Sequence, residues 1–426
     1  LPKFDLMKKR LFFVLSLLII LSCSDDNEPF VPPDDNIDNG NGVQTPPEVP
    51  LPTGFTPCAD GIAGVFPCQG IDFLGLVSLS EMTASSGNDI WGWTDPSTLK
   101  EYAIVGLDNG TAFVDISDNE ELLYLGKLPT ATTSSNWRDI KVYENHAFIV
   151  SEAAGHGMQV FDLTELRNVS STPVIFDAVT RYTGFGNAHN IVINEESGYA
   201  YVVGTNRNDL YSGGAHFIDI KDPINPIAAG GYGDSGYSHD AHVVSYFGPD
   251  PDYTGRELMV GANENQITIV DVTNKDNPQL VNSFGYSNIG YTHQGWFTEN
   301  QRYFILGDEL DELNFGFDSR TLIFDLSDLD NPVLHNTYIG PTAAIDHNGY
   351  VIDNEFYLAN YTAGIRILDL ADIDDQPIVE KAYFDTYLQN DNAVFEGVWS
   401  LYPFFESGKI IVNDINSGLF VLAKSN

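Results

Sequence analysis

The sequence predicts an all-β protein, a seven-bladed β-propeller closed by pairing an N-terminal outer strand with the C-terminal blade. A phrase of alternating apolar residues ending in an aspartate recurs at residues 111–117, 158–164, 215–221, 266–279, 321–327 and 365–371. Its aspartates, Asp115, Asp162, Asp219, Asp271, Asp325 and Asp369, lie 47, 57, 52, 54 and 44 residues apart. A period of about 40–50 residues carrying several short strands is the signature of a propeller. A weaker seventh copy at 418–425 has Ala423 in the aspartate's place. The two ends supply the last observation: the final blade lacks an outer strand, and residues 73–80 form an outer strand with no blade before it. Pairing them hides both edges.

Each unit reads as four strands. In the third these are 188–194, 198–204, 215–220 and 226–231, and the inner strands of the seven units begin the segments 89–93, 138–143, 188–194, 241–246, 293–298, 347–352 and 396–402. Asp222-Pro223 and Asn331-Pro332 are turn pairs, the acid or amide bonding the following backbone while proline fixes φ. By the same chemistry, the repeated aspartate is expected to be structural. The last blade is assembled from 398–402, 409–413 and 419–423.

Before the repeats, Lys8-Lys9-Arg10, the apolar run 11–21 and Ser22-Cys23 predict a signal peptide over 1–22, too short to span a bilayer. Residues 23–56 predict a lipid-anchor site and a Pro-, Asn-, Asp- and Gly-rich tether that cannot bury enough apolar surface to fold. The propeller then covers 57–426. The cysteine after the apolar run resembles a bacterial lipoprotein signal, with Cys23 lipidated. The tract Ser24-Asp25-Asp26-Asn27-Glu28 resembles the surface-export signal of Bacteroidetes lipoproteins, which implies the outer face of the outer membrane; its periplasmic face is the alternative. With Cys23 so committed, Cys58 and Cys68 remain as a pair in an oxidising compartment, and a disulfide is expected.

The chain carries 20 basic and 60 acidic residues, a formal charge of −40. That excludes nucleic acid and an anionic membrane surface as partners, because both require a basic footprint. It is compatible with solubility in a salty medium and with a hard cation such as Ca²⁺.

Residues 88–93, 137–152, 155–163, 292–296, 308–315, 341–348 and 414–421, with the Cys58 and Cys68 segment, resemble the LVIVD-repeat proteins of the choice-of-anchor B family over about residues 57–424. The resemblance implies a cell-surface β-propeller and implies no biochemical activity. The chain departs from it at Tyr211-Ser212-Gly213-Gly214, where the family pattern has a cysteine before the glycines.

Residues opening the inner strands meet at one end of the central channel. Here the chain offers Arg138 with Asp139, His189, His242 with Asp240 and His239 before it, His293, Asp346 with His347, and Glu396. Two readings are open. These groups either cap one another and hold ordered water, or form a divalent-metal or acid/base site, since imidazoles ligate metals and carboxylates orient them. In the second, His189, His242, His293 and His347 are ligands or bases, Arg138 holds an anionic group, and Asp346 or Glu396 orients a histidine. The loop at Asp308, Glu309, Asp311 and Glu312 offers carboxylates to Ca²⁺ or is a solvated acidic loop; it lacks EF-hand spacing. Glu152 and His156 reach the same face. The five tryptophans, Trp91, Trp93, Trp137, Trp296 and Trp399, lie on or beside inner strands and are expected to pack between blades.

No phosphate loop or Gly-x-Ser-x-Gly elbow is present. The expected role is therefore a monomeric binding or scaffold propeller for an extracellular ligand, polysaccharide or protein. A metal-assisted lyase or hydrolase acting on an extracellular polymer is the alternative.

Overall fold

In the computed structural model, residues 51–118 and 121–425 are described; the segments expected to be a signal peptide, a lipid-anchor site at Cys23 and a tether lie, up to residue 50, outside them. Each repeated aspartate closes the third strand of a four-stranded antiparallel blade. The reason is visible at its side chain. Asp115, Asp162, Asp219, Asp271, Asp325 and Asp369 each accept the backbone N–H two residues on, at 2.8–3.0 Å. This Asx turn ends the strand and turns the chain outward, so the carboxylate recurs because the corner recurs.

The seven inner strands are Gly87–Thr94, Arg138–Tyr143, Asn190–Asn194, Asp240–Ser245, Thr292–Phe297, Gly349–Ile352 and Val398–Tyr402, opening blades 1 to 7. In blades 1, 3, 4, 5 and 6 the third and outer strands shift register by a bulge at the same level, which increases the local twist. Seven apolar clusters fill the spaces within and between neighbouring sheets.

The ring closes as expected. Ile71–Ser78 pairs antiparallel with Gly418–Lys424, the third strand of blade 7. Two additions were not legible in the repeat. Phe66–Gln69 continues blade 6 outward by pairing with Val379–Phe384, and Ile62–Ala63 pairs back on it. In blade 2 the chain leaves Asp162 through a 3₁₀ turn at Leu163–Asn168. It then lays Val174–Ile175 parallel on the outer strand of blade 1 and returns as Thr180–Tyr182. This excursion accounts for the 57-residue gap, the longest in the repeat.

Cys58 and Cys68 form the expected disulfide across the hairpin that adds to blade 6. It closes a loop of 10 residues' separation, which in the chain-entropy description stabilises by roughly 2–3 kcal/mol. A Cys58→Ser/Cys68→Ser variant is therefore expected to lose that much unfolding free energy, read as a lower denaturant midpoint at unchanged m. The oxidised wild type and the same protein held reduced provide the comparison, and the variant should match the reduced form.

Candidate functional site

All seven blades contribute to one small cavity on the propeller axis. It is lined by Asp89 of blade 1, Arg138 and Asp139 of blade 2, His189 and Asn190 of blade 3, His239 and Asp240 of blade 4, and His293, His347 with Asn348, and Trp399 of blades 5 to 7. Two tiers result. Histidines of four consecutive blades form the upper one, and an acid or amide immediately after the blade-opening position forms the lower.

The upper tier is fixed by the sheets. His189, His239 and His347 each lie just before an inner strand, and their own N–H groups bond the end of the neighbouring second strand, to Gly204 O at 3.1 Å, Ala262 O at 2.9 Å and Ala359 O at 2.9 Å. Gly204 has φ +63°, and a Cβ there would stand 2.4 Å from that of His189; glycine is the residue that permits the approach. In blade 5 the register shift between Thr292 and Gln294 brings His293 to the same level.

The imidazoles form a continuous arc. Ring centroids are 4.0 Å apart for His189 and His239, 4.5 Å for His239 and His293, and 4.2 Å for His293 and His347. Three of the four have Nδ1 engaged: His189 with Glu152 Oε1 at 2.6 Å, His239 with His293 O at 3.1 Å and His347 with Trp399 O at 2.5 Å. Since these partners are acceptors, Nδ1 carries the proton, and in the neutral ring Nε2 keeps its lone pair. Glu309 faces the arc, with Oε2 3.6 Å from His293 Nε2 and Oε1 3.5 Å from His347 Nε2, while Tyr361 Oη donates to Oε1 at 3.0 Å. His239, His293 and Glu309 each offer one ligand atom, all within 4.8 Å of one another. The buried Nδ1 of His293 has no hydrogen-bond partner.

Burial, reinforced by the neighbouring imidazoles, holds His239 and His293 well below the usual histidine range. Burial also takes His347 down to about 3. Burial opposes the charge of His189 too, but its bond to Glu152 outweighs this and raises it. Glu309 is pushed up to about 7, chiefly by burial.

The lower tier is mostly stitching between blades. Asp89 accepts Ile140 N of blade 2 at 3.2 Å, and Asp139 accepts Ile191 N of blade 3 at 2.6 Å. Gln294 exchanges two bonds with Gly349 of blade 6, each 3.1 Å. Lys141 sits between the first two acids, its Nζ 2.6 Å from Asp139 and 3.5 Å from Asp89. Asp240 accepts from Ala241 N at 2.5 Å, and burial pushes it up to about 7.

Several predicted site residues stand elsewhere. His242 is not part of the arc: its ring stacks on Trp296 at 3.9 Å and its Nδ1 accepts Phe297 N at 3.2 Å, so it packs blade 4 against blade 5. The blade-4 member of the arc is His239. A finer sequence signal separates the two: His189-Asn190, His239-Asp240, His293-Gln294 and His347-Asn348 each place an acid or amide after the histidine, and His242-Val243 does not.

Of the acidic loop, Glu309 alone is paired with the arc. Asp308 is taken up by Gly290 N, Tyr291 N, Leu310 N and Tyr286 Oη. Asp311 bonds Arg320, and Glu312 accepts Arg320 N at 3.2 Å. Asp346 takes the hydroxyl of Thr321 at 3.0 Å and orients no histidine. Glu396 bonds Asn416 and does not line the cavity. Arg138 donates to Leu107 O at 3.1 Å and lies 3.1 Å from His156 Nε2, whose Nδ1 faces Gly157 O. Nη2 of Arg138 is buried without a partner.

The sequence matches no protein-family model and no curated protein. Among solved structures the chain is similar to the β-propeller domain of Cps50 (Swd1) from Myceliophteria thermophila. Identity is 9%, the match covers 76% of this chain and 94% of that one, and the TM-score is 0.48.

Proposed function

We propose that this chain is an extracellular, lipid-anchored binding propeller whose axial face holds one divalent transition-metal ion on the Nε2 atoms of the histidine arc, with Glu309 as carboxylate ligand. One observation carries the reading: three imidazoles have Nδ1 held by a carbonyl or carboxylate, which leaves Nε2 as the free donor. That outer-shell pattern orients metal-ligating histidines and raises their basicity.

Imidazole donors suit zinc, iron, nickel or copper better than calcium, which takes oxygen. The cavity encloses about 20 Å³, room for an ion or a water and not for a sugar ring. A ligand therefore approaches from outside and offers one atom to the ion. The free Nη2 of Arg138 at the same cavity favours an anionic oxygen on that ligand. The fit to one small donor favours recognition over cleavage of a polysaccharide held along the axis. Residues 1–22, Cys23 and the acidic tract that follows support export and anchoring.

Elemental analysis of the chelated full chain after reconstitution with zinc, iron(II), nickel or copper tests this. The wild type is expected to retain one ion per chain, His239→Ala/His293→Ala to retain none, and His242→Ala to keep full content. Failure of the wild type to hold any of the four ions stoichiometrically would sink the proposal.

A further inference from the structure

A second cluster of carboxylates includes two residues of the loop that carries Glu309 and none of those that line the axial cavity. Asp311 and Glu312 open the short helix Asp311–Phe315, and Asp346 reaches them from just before blade 6. The three each offer an oxygen within 4.8 Å of the others, at 0%, 3% and 0% exposure. Three ionised carboxylates cannot be buried together without compensating charge.

Arg320 supplies one positive charge, with Nε on Asp311 and one N–H of each terminal nitrogen on a backbone carbonyl, Nη1 on Ser287 O at 3.2 Å and Nη2 on Asn288 O at 2.9 Å. With all three ionised, the balance among these four side chains is minus two. A separate observation points the same way. Asp346 is fully buried, one of its oxygens is used by Thr321, and the other, Oδ1, has no donor; Asp311 Oδ1 and Glu312 Oε2 are equally unpartnered. Buried polar atoms are almost always bonded, and here three neighbouring carboxylates each carry one buried oxygen that is not.

We propose that Asp311, Glu312 and Asp346 form a second cation site, for a hard divalent ion of the calcium type, distinct from the histidine arc. Carboxylate oxygens are the donors such an ion takes, and two positive charges close the balance. Because Glu309 lies two residues before Asp311, the ion also fixes the segment that presents Glu309 to the imidazoles. The site thus positions a ligand of the axial centre without touching the axial ion.

The test uses the chelated full chain titrated with CaCl₂, with MgCl₂ in parallel, reading bound metal and Tm. One calcium per chain and a Tm rise of several degrees are expected. Asp346→Asn is expected to abolish that rise while raising the Tm of the chelated protein, because it removes an uncompensated buried charge. His239→Ala/His293→Ala should keep the full calcium response, so this site and the axial one fail independently. No stoichiometric calcium and no Tm change in the wild type overturns the proposal, as does an Asp346→Asn protein that responds like the wild type. A chelated protein that calcium leaves unchanged but that loses stability as pH rises through neutrality overturns it in favour of shared protons.

Discussion

Replacing Lys141 by methionine is expected to remove about 3–5 kcal/mol of folding free energy, the typical consequence of breaking a buried ion pair from one side. Lys141 is the only cation in contact with Asp89 and Asp139 among the described residues, and all three side chains are at most 8% exposed. Burial works against the charge of Lys141, but Asp139 and Asp89 outweigh it and hold the ammonium above the usual lysine range. Burial, offset in part by Lys141, places Asp139 well above the ordinary carboxylate range. The sign with pH follows. A carboxyl whose folded pKa is raised contributes stability that is present at low pH and lost as pH rises through that value. Without Lys141 the pair takes up a proton to stay buried, so the deficit against wild type should widen from mildly acidic to mildly alkaline solution. Urea unfolding at a series of pH values measures it, and Lys141→Met/Asp139→Asn should recover part of the loss. A deficit that does not vary with pH would mean that lost packing on Trp91, whose ring lies 4.6 Å below Nζ, dominates.

The same residues show what the sequence could and could not reveal. The aspartates of the third strands are legible because one carboxylate satisfies one recurring turn, and the inner strands follow from counting. Strand pieces of two residues, such as Val174–Ile175 and Ile62–Ala63, carry no periodicity and were invisible. Three of the four arc histidines were found by aligning inner strands. Spacing alone does not separate the fourth, because it admits both His239 and His242; these lie three residues apart, one just before the inner strand and the other within it, and only the first meets the axis. Composition could not sort the acidic loop: Asp308 is consumed by four donors, the helix turns Asp311 and Glu312 away, and Glu309 is left to face the imidazoles. Which oxygen is spent on backbone is settled by tertiary packing, not by local sequence.

Deleting residues 418–426 is expected to prevent the ring from forming a native, cooperative fold. The strand Gly418–Lys424 supplies Leu419, Phe420, Val421 and Leu422, all at 0% exposure. At roughly 1.5–3 kcal/mol for each buried side chain, their loss is worth roughly 6–12 kcal/mol, against a whole-domain stability of about 5–15 kcal/mol. Phe420 also packs on Phe66 at 5.4 Å, Phe73 at 6.3 Å and Phe384 at 6.4 Å, tying blade 7 to the N-terminal strands and to blade 6. Without it Ile71–Ser78 has no partner strand, and Lys409–Asp414 becomes an exposed edge that invites association. The truncated chain should elute as aggregate and show no cooperative thermal transition, whereas Phe420→Ala should fold with a loss of about 3–5 kcal/mol. A truncated monomer that melts cooperatively near the wild-type Tm would mean that closure is dispensable. The axial cavity would then have to be held by the bonds between neighbouring blades alone, such as Asp89 to Ile140, Asp139 to Ile191, His347 to Trp399 O, and Asn413 to Asp89 O and Gly106 O.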